Sequence, residues 1–224
     1  IVSGILLALE DESFCAGYPK KQKPIDIANF LITTIKERLE NDNISGLKKN
    51  TIVQTYNFMG TNTQIINKTN KNGTPNMLLK DLIKEIDENV KPFSDDYRYH
   101  DILGIFYNEF LRYANGDGGL GIVLTPRHIT NLFTELAEVN KDSVVIDNCC
   151  GTGGFLISAM RRMETEAKGD KQKIKKIHRE QLLGIDNNPK MFTLACSNMM
   201  LRGDGKSNIH QQNCFQIKDN KIKK

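Results

Sequence analysis

Acidic residues and a cluster of glycines are the part of this sequence best suited to bind a ligand. Between Val144 and Met160 the sequence is VVIDNCCGTGGFLISAM, in which Asp147 follows a short apolar segment and three glycines precede an apolar helix. Glycines so closely spaced weaken strands and helices, but they let a ligand approach the backbone closely. The two adjacent cysteines are better explained as small residues that fill a tight turn than as a redox pair. We therefore predict a ligand-binding loop.

Two ligands suit such a loop, and the acids around it favour one of them. A dinucleotide site needs G-x-G-x-x-G and an acid about 20 residues further on. Here the third glycine is misplaced, Asp147 would lie near a pyrophosphate, and Asp186 comes too late. S-adenosylmethionine has no phosphate but carries an ammonium, a sulfonium and a ribose diol. Asp147 can face its cationic part and Asp186 can accept from both ribose hydroxyls, so we favour this ligand and leave the dinucleotide open.

The segments around the loop alternate between strand and helix patterns. Strands are predicted at SVVID, at QLLGID and within NIHQQNCF, with helices after the glycines and at PKMFTLACSNMMLRG. EAKGDKQKIKKIHRE is predicted to be a charged connection. Thr125 is the expected N-cap of a preceding helix, with Pro126 at its first position. Strands that alternate with helices predict an α/β fold with a parallel, doubly wound sheet.

The first part of the chain has a helical pattern. Apolar residues follow helical spacing from Ile27 to Leu39, after Pro24, and again from Leu79 to Val90, where Pro92 ends the pattern. The polar stretch 57–76 is expected to be a loop. A further helix through Leu103 and Phe106 is expected to close at NGDGG. We predict a helical domain over 1–95 and a ligand-binding domain over 96–224.

Composition is that of an ordinary globular protein. The 224 residues carry a net charge of +4, which neither requires nor opposes a nucleic-acid partner. No apolar run approaches the ~20 residues that cross a bilayer, so no membrane association is expected. The five cysteines include no C-x-x-C pair, which argues against both a disulfide framework and a metal site and favours the cytoplasm. Because Ile1 already belongs to a helical pattern, the sequence is interpreted as a piece of a longer protein.

Three motifs in order carry a resemblance to a known family. VVIDNCCGTGGFLI is similar to the first motif of N6-adenine DNA methyltransferases, specifically the modification subunits of type I restriction-modification systems. DILGIFYNEFLRYANGDGGLGIVLTPRHITNLF upstream and LLGIDNNPKMFTLACSNMMLRGDG downstream resemble the segments that flank it in that family. The resemblance extends from Asp101 to about Phe215 and, more loosely, into the helical part. It implies a Rossmann-like S-adenosylmethionine-dependent methyltransferase fold, truncated here and preceded by a helical domain.

The resemblance also implies a set of cofactor-binding residues. These are Thr125, Pro126, Arg127, Asp147, Gly151, Thr152, Gly153, Gly154, Phe155, Asp186, Asn187 and Asn213. The first three would lie near the methionine carboxylate of the cofactor, and Asp147 with the glycine segment would surround its methionyl end. Asp186 would bind the ribose, and Asn187 and Asn213 would lie beside the adenine. Asn213 stands where the family has an acid, Leu124 where it has an aromatic residue, and Asn148 where it has a proline.

Simpler structural roles remain open for several of these residues. Thr125 with Pro126, or Asp186, could serve only as helix caps. His128 and His210 are expected to be surface or capping residues rather than metal ligands. The lysines between Lys168 and Lys176 are expected to form a solvated face rather than a phosphate site.

The implied function is transfer of a methyl group from S-adenosylmethionine to the N6 amino group of adenine in DNA. The implied partners are double-stranded DNA and a specificity subunit, with a restriction subunit as a further candidate. The Asn-Pro-Pro-aromatic motif that does the chemistry in this family is absent from the sequence. We therefore predict no catalytic residue here and expect the fragment alone to be inactive. An RNA or protein methyltransferase, or a non-catalytic assembly module with a relic fold, remains an alternative.

Overall fold

The computed structural model describes residues 1–42, 44, 46–67, 69–70, 72–96, 101–115, 124–204 and 208–216. The chain forms two compact units, Ile1–Tyr97 and Arg98–Lys224. The predicted helix end at NGDGG falls largely outside the described residues. None of the described helices is both long enough and apolar enough to cross a membrane.

The described part of the first unit is mainly helical, with a 3₁₀ turn at Tyr18–Lys20 and irregular structure between its helices. Its helices are α1 (Val2–Ala8), α2 (Glu12–Gly17), α3 (Pro24–Asn41), α4 (Gly46–Thr61), α5 (Thr63–Ile66), α6 (Leu78–Asn89) and α7 (Lys91–Asp96). Helix α3 begins at Pro24, as the sequence predicts, and packs against α1, α4 and α6. The core includes the fully buried side chains of Leu31, Ile35 and Tyr56. The Tyr56 hydroxyl is hydrogen-bonded to the Ser3 hydroxyl at 2.8 Å, so this buried phenol has a polar partner.

The prediction of a loop over 57–76 is wrong at its beginning. Helix α4 continues to Thr61 and α5 occupies Thr63–Ile66, so irregular structure starts only near Asn67. The cause is packing, because Ile52, Tyr56 and Met59 lie at helical spacing and are all buried. Their burial outweighs the polar composition of the segment, on which the loop prediction rested.

The second unit alternates between helices and strands. Its helices are α8 (Ile102–Asn115), α9 (Arg127–Leu136), α10 (Gly154–Ala167), α11 (Lys171–Lys176) and α12 (Pro189–Met200). Its strands are β1 (Val145–Asp147), β2 (Leu182–Asp186) and β3 (Ile209–Gln211). A π-helical turn, Ile177–Gln181, leads into β2, and a 3₁₀ turn, Cys214–Gln216, follows β3.

The described strands form one parallel sheet in the order β1-β2-β3. Asp147 pairs with Gly184, and Asp186 pairs with Gln211, so the carboxyl ends of neighbouring strands meet at one edge. The predicted strand-helix alternation and parallel sheet are therefore confirmed. Helix α10 packs on β1 and β2, and α12 packs on β2 and β3. These contacts bury Leu156, Ile185 and Phe192.

The predicted charged connection between the first two strands contains helical structure. Helix α10 runs through the start of that segment, and α11 begins with Asp170 as its N-cap. The Asp170 carboxylate accepts hydrogen bonds from the amides of Gln172 and Lys173. Ile177 and His178 are buried, because this segment must return the chain to the start of β2. Four of the lysines, Lys171, Lys173, Lys175 and Lys176, thus lie on a short capped helix, and Lys168 is the C-cap of α10.

Candidate cofactor site

The glycine turn joins β1 to α10 and depends on two left-handed residues. Gly151 has a φ of 54° and Gly153 a φ of 89°, a region that side chains other than glycine rarely occupy. The turn closes with the Gly153 amide donating to the Cys150 carbonyl at 2.7 Å. The Cys150 amide donates to the Ile185 carbonyl at 2.9 Å, which holds the turn against β2. The sequence therefore places glycine where this backbone requires it.

The two cysteines of the turn have different environments but neither is an activated thiol. Cys150 is buried, and burial together with the nearby Asp147 and Asp186 raises the pKa of its thiol. Cys149 is exposed, and the pKa of its thiol is raised by desolvation and by a contact with Cys214. A reactive cysteine needs a lowered pKa. The structure therefore supports the interpretation of both as small residues in a tight turn.

Asp186 connects the end of β2 to the glycine turn. One carboxylate oxygen, Oδ2, accepts a hydrogen bond from the Gly151 amide at 2.9 Å. The other, Oδ1, accepts from the Asn188 amide at 2.8 Å. The N-cap of α12 is Asn188, whose Oδ1 accepts from the Lys190 amide at 2.9 Å. Asp186 is therefore not the cap of that helix, and its side chain lies at the glycine turn.

Asp147 lies at the end of β1, next to the same turn. Its Oδ1 accepts a hydrogen bond from the Cys149 amide at 3.1 Å. Burial raises the pKa of its carboxyl, the Cys149 amide opposes this, and the nearby Asp186 adds to the increase. Two carboxylates at adjacent strand ends thus make this edge electronegative.

A cavity of about 370 Å³ opens beside the turn. Its volume lies within the range of small-molecule sites. The lining residues are Asp101, Leu124, Thr125, Thr130, Cys149, Cys150, Gly151, Thr152, Gly154, Phe155, Asp186, Asn188 and Met191. The charged residues in this described lining are two aspartates, without lysine or arginine. Such a wall suits a cationic ligand and opposes a pyrophosphate.

A second cavity of about 210 Å³ shares part of this wall and extends toward the start of α9. Thr125, Pro126 and Arg127 line it, and Thr125 lines both cavities. Burial lowers the pKa of the Arg127 guanidinium, and the charge of Arg161 lowers it further. A guanidinium held beside a like charge is stabilised by an anion, and a ligand carboxylate would supply one.

The prediction that Thr125 caps α9 is wrong. The helix begins at Arg127, and Pro126 occupies the N-cap position without a side-chain hydrogen bond. The Pro126 carbonyl accepts from the amides of Ile129 and Thr130, so the first helical turn starts one residue later than predicted. Thr125 precedes the helix and lines the cavities instead.

Four predicted residues do not line either cavity among the described residues. They are Asp147, Gly153, Asn187 and Asn213. Gly153 is buried and forms the turn, and Asn187 is exposed beside Asp186. The Asn213 Oδ1 accepts a hydrogen bond from the Phe215 amide at 3.0 Å. His128 is exposed, and no group of three or more metal-type residues was found in the described part of the chain.

Sequence reasoning missed several residues that complete the site. Thr130 and Ser158 join their hydroxyls at 2.6 Å and are both buried, which fixes α9 against α10 beneath the cavity. Asp101 precedes α8 and reaches the glycine turn through Thr152. The small polar residues at helical spacing could have indicated the contact between Thr130 and Ser158. No local pattern indicates the contact between Asp101 and Thr152.

A parallel sheet with a glycine turn after one strand and an acid after the next defines a ligand-binding α/β domain. Two solved chains support the fold. A modification subunit assigned to a type I restriction enzyme from Vibrio vulnificus YJ016 matches 75% of this chain and 32% of its own, with 22% identity and a TM-score of 0.53. A chain of a type I R-M system matches 96% of this chain and 46% of its own, with 18% identity and a TM-score of 0.55.

The chain belongs to the N-6 DNA methylase family, whose profile matches residues 98–224. It is similar to the type II restriction enzyme and methyltransferase RM.BcgI of Heyndrickxia coagulans, with 40% identity over 99% of this chain and 35% of that protein. It also resembles the type I restriction enzyme MjaIX methylase subunit of Methanocaldococcus jannaschii, with 31% identity over 50% of this chain and 19% of that protein. The chain therefore spans about a third or less of these curated relatives.

Proposed function

We propose that the protein containing this chain transfers a methyl group from S-adenosylmethionine to the N6 amino group of adenine in DNA. It would do so as the modification component of a restriction-modification system. Family membership and the names of the relatives support this proposal. The observation that carries it is the hydrogen bond of Asp186 to the Gly151 amide at the wall of the cavity.

The chemistry of the cavity fits this cofactor. S-adenosylmethionine brings a methyl group on a sulfonium, which makes that methyl group electrophilic. Asp101 and Asp186 give the wall two carboxylates, which suit a cation and a ribose diol. Leu124, Phe155 and Met191 add apolar surface for a nucleoside. Among the described residues, the lining of the first cavity holds no lysine or arginine, which argues against the alternative dinucleotide.

Within this proposal, the residues of the chain bind and orient the cofactor. Asp186 accepts from the ribose hydroxyls, with Asn187 and Asn213 on the adenine side. The segment from Gly151 to Phe155, with Asp147 beside it, surrounds the methionyl end. Thr125, Pro126 and Arg127 provide for the methionine carboxylate, and the second cavity beside Arg127 supports this role.

The wider assignment follows from the same family. We infer a doubly wound methyltransferase sheet, with the helical part over 1–95 as a separate domain and 96–224 as the cofactor-binding domain. The partners would be double-stranded DNA and a specificity subunit. Because the Heyndrickxia coagulans relative is named as both a restriction enzyme and a methyltransferase, restriction activity is proposed to accompany methylation. A reducing cytoplasm suits the five free cysteines.

The test uses the full-length protein with tritium-labelled S-adenosylmethionine and duplex DNA. We expect label in N6-methyladenine after digestion of the DNA. Asp186→Ala should weaken cofactor binding by at least about 10-fold, because charge-assisted hydrogen bonds are lost. Asp142→Ala is the matched control, since that aspartate is exposed and pairs with Lys173 at 2.8 Å.

Each alternative gives a different result in the same assay. Label in RNA or protein, with none in DNA, would replace the proposed substrate. A folded full-length protein that binds no S-adenosylmethionine would support a non-catalytic assembly role and refute the proposal. Equal loss of binding in both aspartate variants would remove Asp186 from the site.

A further inference from the structure

Asp101 connects three separate parts of the second unit through one carboxylate. Its Oδ1 accepts hydrogen bonds from the Gly104 amide and from the Asn198 side-chain amide, both at 2.7 Å. Its Oδ2 accepts from the Thr152 hydroxyl at 2.5 Å. The carboxylate thus caps α8, holds α12 and contacts the glycine turn. Charge-assisted hydrogen bonds of this kind are the stronger ones in proteins.

The contact with the glycine turn belongs to a closed network. The Asn198 side-chain amide donates to the Thr152 carbonyl at 2.8 Å as well as to Asp101. Thr152 and Asn198 are buried, at 2% and 0% exposure. Thr152 is therefore held at its hydroxyl and at its carbonyl. Because the Thr152 hydroxyl also binds Asp101, Thr152 is the residue that anchors the turn.

The turn needs such an anchor because of its glycines. Thr152 lies between Gly151 and Gly153, and glycine has the least conformational restriction of all residues. Both glycines adopt left-handed φ values. Thr152, the residue between them, offers both a hydroxyl and a carbonyl through which other elements can fix the backbone. Asp101 binds the hydroxyl and Asn198 binds the carbonyl.

The surroundings are shaped around the carboxylate. A methyl group at Gly104 would overlap the Asp101 carboxylate, so glycine leaves the room for this cap. A methyl group at Gly154 would lie 3.7 Å from its Oδ2, which places the carboxylate over the start of α10. Asp101 also lines both cavities of the site.

We infer that Asp101 is a positioning residue of the cofactor site, which fixes the glycine turn in its binding conformation through Thr152. This inference rests on the proposed function, because the ligand of the turn is taken to be S-adenosylmethionine. It adds a residue that lies upstream of the strand-helix pattern. The role is exerted through Thr152, so changes at either residue should have the same effect.

The test measures equilibrium binding of S-adenosylmethionine and of S-adenosylhomocysteine to the full-length protein by calorimetry. Asp101→Asn keeps the size and the capping ability but removes the charge, and we expect about a 10-fold loss of affinity for both ligands. Thr152→Val should give a similar loss and Thr152→Ser, which keeps the hydroxyl, should bind nearly as wild type. The double variant Asp101→Asn with Thr152→Val should lose no more than either single variant.

A matched control separates positioning from general stability. Asp170→Asn makes the same change at another N-cap aspartate of the same unit, outside the lining of both cavities. It should leave affinity within about twofold of wild type, because asparagine and aspartate cap helices equally well. In methylation assays Asp101→Asn should raise KM for S-adenosylmethionine more than it lowers kcat, whereas a loss of folded protein lowers kcat alone.

The outcomes distinguish this inference from the proposed function. If the wild-type protein binds S-adenosylmethionine and Asp101→Asn binds it with the same affinity, the inference is overturned but the proposed function is not. The inference is also overturned if Asp170→Asn loses as much affinity as Asp101→Asn. A wild-type protein that binds neither ligand overturns the proposed function and the inference together. If Asp101→Asn does not fold, the comparison of Thr152→Val with Thr152→Ser decides: equal affinities overturn the inference, and a loss confined to valine supports it.

Discussion

His178 and Glu164 form a buried ion pair whose strength should set the pH dependence of stability. The His178 Nε2 lies 2.5 Å from the Glu164 Oε1, and Nδ1 lies 3.2 Å from the Gly203 carbonyl oxygen. Both ring nitrogens thus face acceptors, which favours the doubly protonated imidazolium. Burial alone would lower the pKa of His178. The hydrogen bond to Glu164, with the charges of Glu164 and Asp204 and the Gly203 carbonyl, raises it above the ordinary 6.5.

The direction of the pH dependence follows from this raised pKa. A group that binds its proton more tightly in the folded state stabilises that state fully below its unfolded pKa. The contribution of His178 is therefore complete below about pH 6.5 and is lost as pH rises through the folded pKa. The free energy of unfolding should therefore fall as the pH rises from about 6.5 through the folded pKa of His178.

The perturbation is Glu164→Gln, which keeps the shape and removes the charge. A charge-assisted hydrogen bond contributes roughly 1 to 2 kcal/mol more than a neutral one, so the variant should lose about that amount at pH 6. At about 2–4 °C per kcal/mol for a domain of 150–250 residues, thermal unfolding should detect it. At pH 9 the difference in stability between wild type and Glu164→Gln should narrow, because a neutral His178 has no charge that distinguishes glutamate from glutamine at position 164.

Glu166→Gln is the matched control on the same helix. Its side chain is 39% exposed and lies 3.8 Å from Arg162, and exposed ion pairs contribute about 0–1 kcal/mol. The control should show a smaller shift with little pH dependence. A gap for Glu164→Gln that is equal at pH 6 and pH 9, or larger at pH 9, would refute the assignment of His178 as an imidazolium.

Three further predictions concern the backbone around the site. Gly153→Ala should lower the free energy of unfolding by about 1–2 kcal/mol, because φ at this position is 89°. Chemical denaturation that shows no loss of stability would contradict this. Gly184→Ala should lower the free energy of unfolding by about 1–3 kcal/mol through overpacking, since the added methyl group would lie 2.6 Å from the Ile209 side chain. An unchanged midpoint of chemical unfolding would argue against this. Asn188→Ala should cost about 1 kcal/mol through loss of the α12 cap, while Asn188→Asp should retain stability in the same measurement.

The sequence predicts those features of the second unit that local chemistry determines. Gly151 and Gly153 have left-handed φ values, which is why glycine stands there. Asp186 meets the glycine turn because parallel strands end at one edge, a consequence of the predicted alternation. The cysteines of the turn and the buried Leu182 and Ile185 of β2 follow from the same pattern. These features need no knowledge of distant contacts.

Other features depend on tertiary packing and could not be predicted locally. The end of α4 is helical because Tyr56 and Met59 are buried, although the segment is polar. Pro126 rather than Thr125 takes the N-cap position of α9, a difference of one residue that capping preferences do not resolve. Asp101 lies 51 residues from Thr152 along the chain, and nothing near it in the sequence indicates that contact.

The position of Asp101 explains why the proposed cofactor site depends on more than the strand-helix repeat. Strand β1, the glycine turn and Asp186 are the part of the site that the sequence pattern predicts. The turn, however, contains Gly151 and Gly153, whose backbone conformation is little restricted. Binding to an unfixed turn would incur the cost of ordering it, and that cost lowers affinity. A carboxylate from an upstream helix removes this cost in advance by holding Thr152. The family profile begins at residue 98, so the segment that it shares with its relatives includes this helix as well as the repeat.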